Sequence, residues 1–188
     1  MLYLASRSPR RRELLAQIAV GFELLDVDVE ERRMPGESAA GYVERVALDK
    51  ALAAQGSAGI GADDWILAAD TEVILDDEVF GKPADAGAAA AMLARLSGRE
   101  HEVVSAVWLL GHSRREHAVC HSKVRFTTLA RADIDAYVAS GEPFGKAGGY
   151  AIQGRAAGFI EHLCGSYSGV VGLPLFETAT LLRHCGLI

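Results

Sequence analysis

Leu2-Tyr3-Leu4-Ala5-Ser6-Arg7-Ser8-Pro9-Arg10-Arg11-Arg12 sets a short apolar run before a small polar turn and a basic segment that continues into Leu14 and Leu15. The pattern reads as strand, turn and helix, with Ser8 as the N-cap and Pro9 in the first helical position. Arg10, Arg11 and Arg12 then fall in the first helical turn, where the helix dipole disfavours cations, so local helix stability does not account for them. Three guanidiniums beside free backbone N–H groups form an anion site, and phosphate is the anion a strand-to-helix turn most often holds. A solvated basic surface is the competing reading.

Working outward, Phe22 to Val29 reads as a second strand and Ser38 to Gln55 as a helix with Tyr42, Val46 and Leu48 at helical spacing. Trp65 to Ala69 is a buried strand that Val73 to Leu75 continues, and Asp76-Asp77 turns the chain. Asp85 caps an alanine-rich helix through Leu96, which Gly98 stops. His101 to Leu110 and His117 to Leu129 form a hairpin, and Ala132 to Ser140 a helix. Gly141 to Gly158 is a long glycine-rich loop, a length usually tied to function. Phe159 to Leu163 and Val170 to Leu173 read as short strands, and Pro174 opens a terminal helix ending near Cys185. Alternating helices and strands with one antiparallel hairpin make the class α/β, a mixed twisted sheet with flanking helices.

The 188 residues suit one domain, 1–188, and are enough to bury a core without staples. Half the residues are hydrophobic and 23% are charged, which excludes disorder. A formal net charge of −6 argues against a nucleic-acid scaffold or adhesion to an anionic membrane. Three cysteines without CxxC spacing fit neither a disulfide framework nor a zinc knuckle and point to a reducing compartment. No apolar run reaches the length of a membrane span, so a cytoplasmic location is expected.

Asp70 is expected at the carboxyl end of its strand, the edge where open α/β sheets bind ligands, and could ligate Mg²⁺ or orient a water. The Glu30-Glu31 pair offers a second carboxylate; a capping Asp and an ordinary acidic turn are the plainer readings. Only four lysines occur, Lys50, Lys82, Lys123 and Lys146, in a chain that otherwise uses arginine. Lys82 in Phe-Gly-Lys-Pro and Lys146 in Gly-Lys-Ala-Gly-Gly-Tyr stand in rigid turns, a placement suited to a compact ammonium. Gly141 to Lys146 falls one residue short of a Walker A loop and lacks the following Ser/Thr. His117 and His121 are read as surface or packing histidines, and Cys120 lacks the flanking features of a nucleophile.

Ala5-Ser6-Arg7-Ser8-Pro9-Arg10-Arg11, Glu30-Glu31, Lys50-Ala51, Ala69-Asp70-Thr71, Gly81-Lys82-Pro83, Leu96-Ser97-Gly98, Lys146 to Gly154 and Val171-Gly172-Leu173-Pro174 together resemble the Maf family of nucleotide pyrophosphatases. The resemblance runs in order from residue 2 to the terminal helix. It implies two lobes around a deep cleft, related to inosine triphosphate pyrophosphatases. It also implies hydrolysis between the α and β phosphates of a nucleoside triphosphate with a divalent metal, Mg²⁺ or Mn²⁺.

By position, Asp70 matches the family's proton acceptor, and Glu31, Lys50 and Lys82 its other catalytic residues. Ser8, Arg10, Arg11, Thr71, Lys146 and Gln153 are expected to bind the substrate, and Glu31 and Asp70 to offer the metal carboxylates, with Glu31 either on the metal or paired with a lysine. Arg10, Thr71 and Gln153 resemble the dTTP/UTP branch; the 7-methyl-GTP branch has Trp, Gln and Glu there. Gln153 carries both a donor and an acceptor, which suits the imide edge of thymine or uracil. Family habit and exposed apolar strands suggest a homodimer, and the family's name keeps a nucleotide-binding regulator of septum formation as the alternative. Arg7, Glu72 and Gly145 depart from the family pattern, Glu72 standing where an apolar residue is usual.

Overall fold

The computed structural model describes every residue except Ala19, Val20 and Ala58. Strand β1 (Leu2–Ala5) leads through Ser6-Arg7-Ser8 into helix α1 (Pro9–Gln17), where the Ser8 side chain accepts a hydrogen bond from the Arg11 N–H, as the capping pattern predicts. Strand β2 shrinks from the expected 22–29 to Glu23–Leu25, paired in parallel with β1. Helix α2 (Ala39–Gln55) is capped by Ser38 and buries Val43, Val46, Ala47, Ala51 and Ala54 against the sheet.

Strand β3 (Trp65–Leu75) runs unbroken through Asp70 and Thr71. The expectation that Asp70 ends a strand is therefore corrected: it lies in the middle of one. Extension persists because β5 pairs with β3 from Ile66 to Ile74, holding the polar residues in the ladder. On the other edge, β1 covers only residues 65–67 and β4 (Glu78–Phe80), a strand too short to read from sequence, covers 73–75. Residues 68–72 thus lie in the gap between β1 and β4. Asp76 and Asp77 make the β3–β4 turn with φ of 54° and 61°, a left-handed geometry that Asp tolerates.

Helix α3 (Ala86–Leu96), capped by Asp85, precedes the hairpin of β5 (Glu100–Leu110) and β6 (Arg115–Phe126). Helix α4 (Arg131–Ala139), a loop with two 3₁₀ turns, and β7 (Ile160–Cys164) follow. The segment 170–173 is not a strand: residues Tyr167–Val171 form a single-turn helix, α5, capped by Ser166 and ended by Gly172. Helix α6 (Leu175–His184) closes the chain. The sheet order is β2-β1-β3-β5-β6-β7, parallel at β2-β1-β3 and antiparallel beyond, with β4 beside the end of β3.

Alternation along β3 sends Ile66, Ala68 and Ile74 into the core under α2. Leu67 and Ala69 pack toward α1 and α6, and Val73 and Leu75 toward α3 and α4. The two halves of the molecule therefore share β3 and part beside its open gap. His117 stacks on Trp108 and pairs with Glu44, and His121 pairs with Glu102, so both are packing or surface residues. Large apolar exposure is not concentrated on strands: Phe176 of α6, 77% exposed, leads it, and Leu24 is the exposed strand member among the described residues. No helix among the described residues is long and apolar enough to cross a membrane.

Candidate active site

A cleft of about 460 Å³ opens at the β3 gap, within the range of small-molecule sites. The β1–α1 turn, α2, β3, the turn after β4, the loop 145–153 and the end of α5 contribute its walls. It gathers Ser8, Arg10, Arg11, Glu31, Lys50, Asp70, Thr71, Lys82, Lys146 and Gln153, every site residue expected from the sequence. Arg12 points elsewhere, and Lys123 pairs with Glu100 on the hairpin.

The cleft floor is a chain of alternating charge. Lys50 lies one α-helical turn from Val46 on the sheet-facing side of α2, which carries its Nζ to 2.7 Å from Asp70 Oδ1 and 2.7 Å from Glu31 Oε1. Glu31 Oε2 in turn accepts from Lys82 Nζ at 2.9 Å. Burial would raise the Glu31 carboxyl, but the hydrogen bonds and charges of Lys50 and Lys82 outweigh it and hold the group at about 2. Both Glu31 oxygens are thus engaged, whereas Asp70 Oδ2 is buried without a partner. Glu72, next on the same face of β3, is also buried, and its Oε2 has no partner. Burial, reinforced by the charges of Asp70 and Glu31, pushes its carboxyl up to about 8. Among the described residues, no trio of His, Cys, Asp or Glu is arranged to cage a metal.

Thr71 faces the opposite side. Its Oγ1 lies 2.7 Å from Ser105 Oγ, and Ser105 donates to the Gly169 carbonyl, tying β3 and β5 to α5. Arg11 Nε donates to the Gly172 carbonyl at 2.7 Å, and its Nη2 reaches Thr71 Oγ1 at 3.5 Å. Burial lowers the Arg11 pKa against the opposing pull of Asp70 and Glu31, yet a guanidinium stays charged. Arg11 therefore supports the cleft wall through its bonds, while Arg10 lines the cleft from the same helical turn.

The far wall is built on backbone. Lys146 Nζ donates to the Glu142 carbonyl at 2.6 Å, and burial beside Arg10 lowers its pKa. The Glu142 carboxylate accepts from Arg155 N–H at 3.1 Å and from the Tyr137 hydroxyl at 2.8 Å, and Ala151 N–H donates to that same hydroxyl. Gly154 packs so tightly on Glu142 that a Cβ there would overlap the carboxylate. Gly148, at φ +69°, lets its N–H reach the Gly81 carbonyl, and a Cβ would stand 2.7 Å from Val73. Exposed Gln153 stands at the rim. Tyr150 is buried beneath, bonded to His101 Nε2 at 2.9 Å.

Glu142, Tyr137, Ser105 and His101 escape a reading of the sequence alone. Ser140-Gly141-Glu142-Pro143 just before the glycine-rich run is the one hint, since a carboxylate at a loop mouth is placed to accept backbone N–H bonds.

Residues 1–185 match the family described as Maf-like protein. A dTTP/UTP pyrophosphatase of Xanthomonas campestris pv. campestris is 57% identical over 190 residues, covering 99% of this chain and 99% of its own. One from Methylococcus capsulatus is 56% identical over 186 residues, covering 99% and 91%. Another, from Cupriavidus metallidurans, is 53% identical over 195 residues, covering 100% and 98%.

Proposed function

The chain belongs to the Maf-like protein family, and from that premise we propose that it hydrolyses dTTP and UTP to the monophosphate and pyrophosphate, using Mg²⁺ or Mn²⁺. Its relatives' activity supports the reaction, and the geometry supports its assignment to this cleft. The observation that carries the reading is the ion chain Lys82–Glu31–Lys50–Asp70 in one cavity with Arg10, Arg11 and Lys146.

A triphosphate brings about four negative charges into a site of low dielectric, and fixed cations there counter the charge that grows on departing pyrophosphate. Lys50 holds Oδ1 of Asp70 and leaves the buried Oδ2 without a partner. That oxygen accepts a proton from water as the water oxygen bonds to the α phosphorus; the α–β bridging P–O bond breaks, and its electron pair leaves with pyrophosphate. Gln153 at the rim reads the pyrimidine imide edge. The donor set fits a divalent cation, because Asp70 Oδ2 is a buried, unpartnered carboxylate oxygen; of the two carboxylates expected on the metal, Asp70 is the one with an oxygen not already paired to a lysine. When bound, the cation neutralises phosphate charge and strengthens the leaving group. The same reading places the enzyme in the cytoplasm, where triphosphates are made.

A panel of common triphosphates and 7-methyl-GTP, incubated with Mg²⁺ or Mn²⁺, tests the proposal. Release of dTMP and UMP with pyrophosphate, ahead of the purine products, is expected. Release of inorganic phosphate alone contradicts the bond assignment, and equal turnover of all substrates contradicts the role of Gln153.

A further inference from the structure

Asp70 and Glu72 are two residues apart on one strand face, which sets their Cα atoms roughly 6.6 Å apart at the usual strand rise. Both line the cleft, both are buried, and each keeps one carboxylate oxygen, Oδ2 and Oε2, with no hydrogen-bond partner. Buried carboxylate oxygens are ordinarily satisfied, and two orphans on residues two apart on one strand are costly when ionised unless a cation meets them. Lys50 does not meet this need: it is spent on Asp70 Oδ1 and Glu31 Oε1. Lys82 is likewise spent on Glu31 Oε2.

We propose that Asp70 and Glu72 together hold the divalent cation, and that Glu31 instead positions Lys50 and Lys82. A Mg²⁺ site commonly takes one or two carboxylates and fills its octahedron with substrate phosphate oxygens and waters, so two protein ligands suffice. Oδ2 has two lone-pair directions, so contact with a cation leaves it able to accept from the attacking water. Because both ligands stand on a strand paired to β5 along nearly its whole length, the platform is rigid.

The inference rests on the pyrophosphatase reading only for the phosphate oxygens that complete the shell, so metal binding is measured apart from turnover. Binding of Mn²⁺ is followed by loss of the free-ion electron paramagnetic resonance signal, with and without α,β-imido-dUTP. Glu72→Gln is expected to weaken Mn²⁺ binding at least ten-fold in the presence of the analogue, Asp70→Asn to do the same, and Glu31→Gln to change it less than three-fold. A far-ultraviolet circular dichroism spectrum like that of the unsubstituted protein verifies the fold. Unchanged Mn²⁺ affinity in Glu72→Gln overturns the proposal, as does a larger loss in Glu31→Gln than in Glu72→Gln. Fe²⁺-directed hydroxyl-radical cleavage of the unsubstituted protein gives an answer that needs no variant: cleavage at residues 70–73 supports the site, and cleavage confined to residues 30–32 contradicts it. Pyrophosphate release with no detectable Mn²⁺ binding would defeat the metal site while leaving the reaction standing.

Discussion

The two walls of the cleft are made by different means. One wall takes its charge from side chains on regular elements: Lys50 from α2, Asp70 from β3, and Arg10 and Arg11 from the first turn of α1. The other, the loop 141–156, is shaped by backbone N–H groups gathered on Glu142 and Tyr137 and by glycines in the left-handed region. The first wall is held by electrostatics among few groups, so removing one charge unbalances it. The second is held by many modest bonds, so a single loss moves the loop without dismantling the site.

The largest effect expected is on the first wall. Lys50→Met leaves Glu31 and Asp70 facing each other without the cation between them, a loss of about 3–5 kcal/mol of stability together with turnover. Chemical denaturation and pyrophosphate release measure both; a stable, active Lys50→Met protein would dissolve the contrast between the walls.

On the second wall, the steepest change comes from Gly148. Alanine there meets both the positive φ and Val73, costing roughly 2–4 kcal/mol, which a thermal melt reads directly. Beneath the same loop, buried His101 has its pKa lowered to about 4 by burial, from an ordinary 6.5. Because the folded value is the lower one, its contribution is full above pH 6.5 and is lost as pH falls through about 4. The span corresponds to about 3 kcal/mol. His101→Phe, compared with the unsubstituted protein by denaturation at pH 7 and pH 4, should flatten that acid-side slope.

The smallest effect sharpens the comparison most. Glu142→Ala frees the loop donors at residues 155 and 156 and should raise KM about ten-fold, or ~1.4 kcal/mol, with kcat changed less than three-fold. Steady-state kinetics with dTTP separate the two parameters. A fall in kcat with KM intact would show that the loop acts on the chemistry and not only on nucleotide placement.

The same division explains what the sequence made legible. The β1–α1 turn could be read because Ser8 and Pro9 announce a capped helix, and the hairpin because two β-branched runs flank a short polar turn. The sequence sets Asp70 on the right strand but at its carboxyl end, whereas β3 runs on through it and the edge that opens is the end of β1. Val170-Val171 reads as strand by propensity, yet the Ser166 cap and the Gly172 turn select one helical turn that puts the Gly172 carbonyl under Arg11. The loop's order stayed hidden because backbone N–H groups have no residue signature, and Glu142 becomes visible as their acceptor only after the chain has folded back on itself.

On the proposed reading, the cleft grips the polyphosphate with its cations and leaves one carboxylate oxygen to prepare the water. Asp70→Asn with dTTP and Mg²⁺ tests it most directly, with single-turnover hydrolysis and analogue binding followed in parallel. The account predicts a rate lowered about 10²- to 10⁴-fold, with α,β-imido-dUTP bound in the absence of metal within a few-fold of the unsubstituted protein. Full turnover by Asp70→Asn would contradict it.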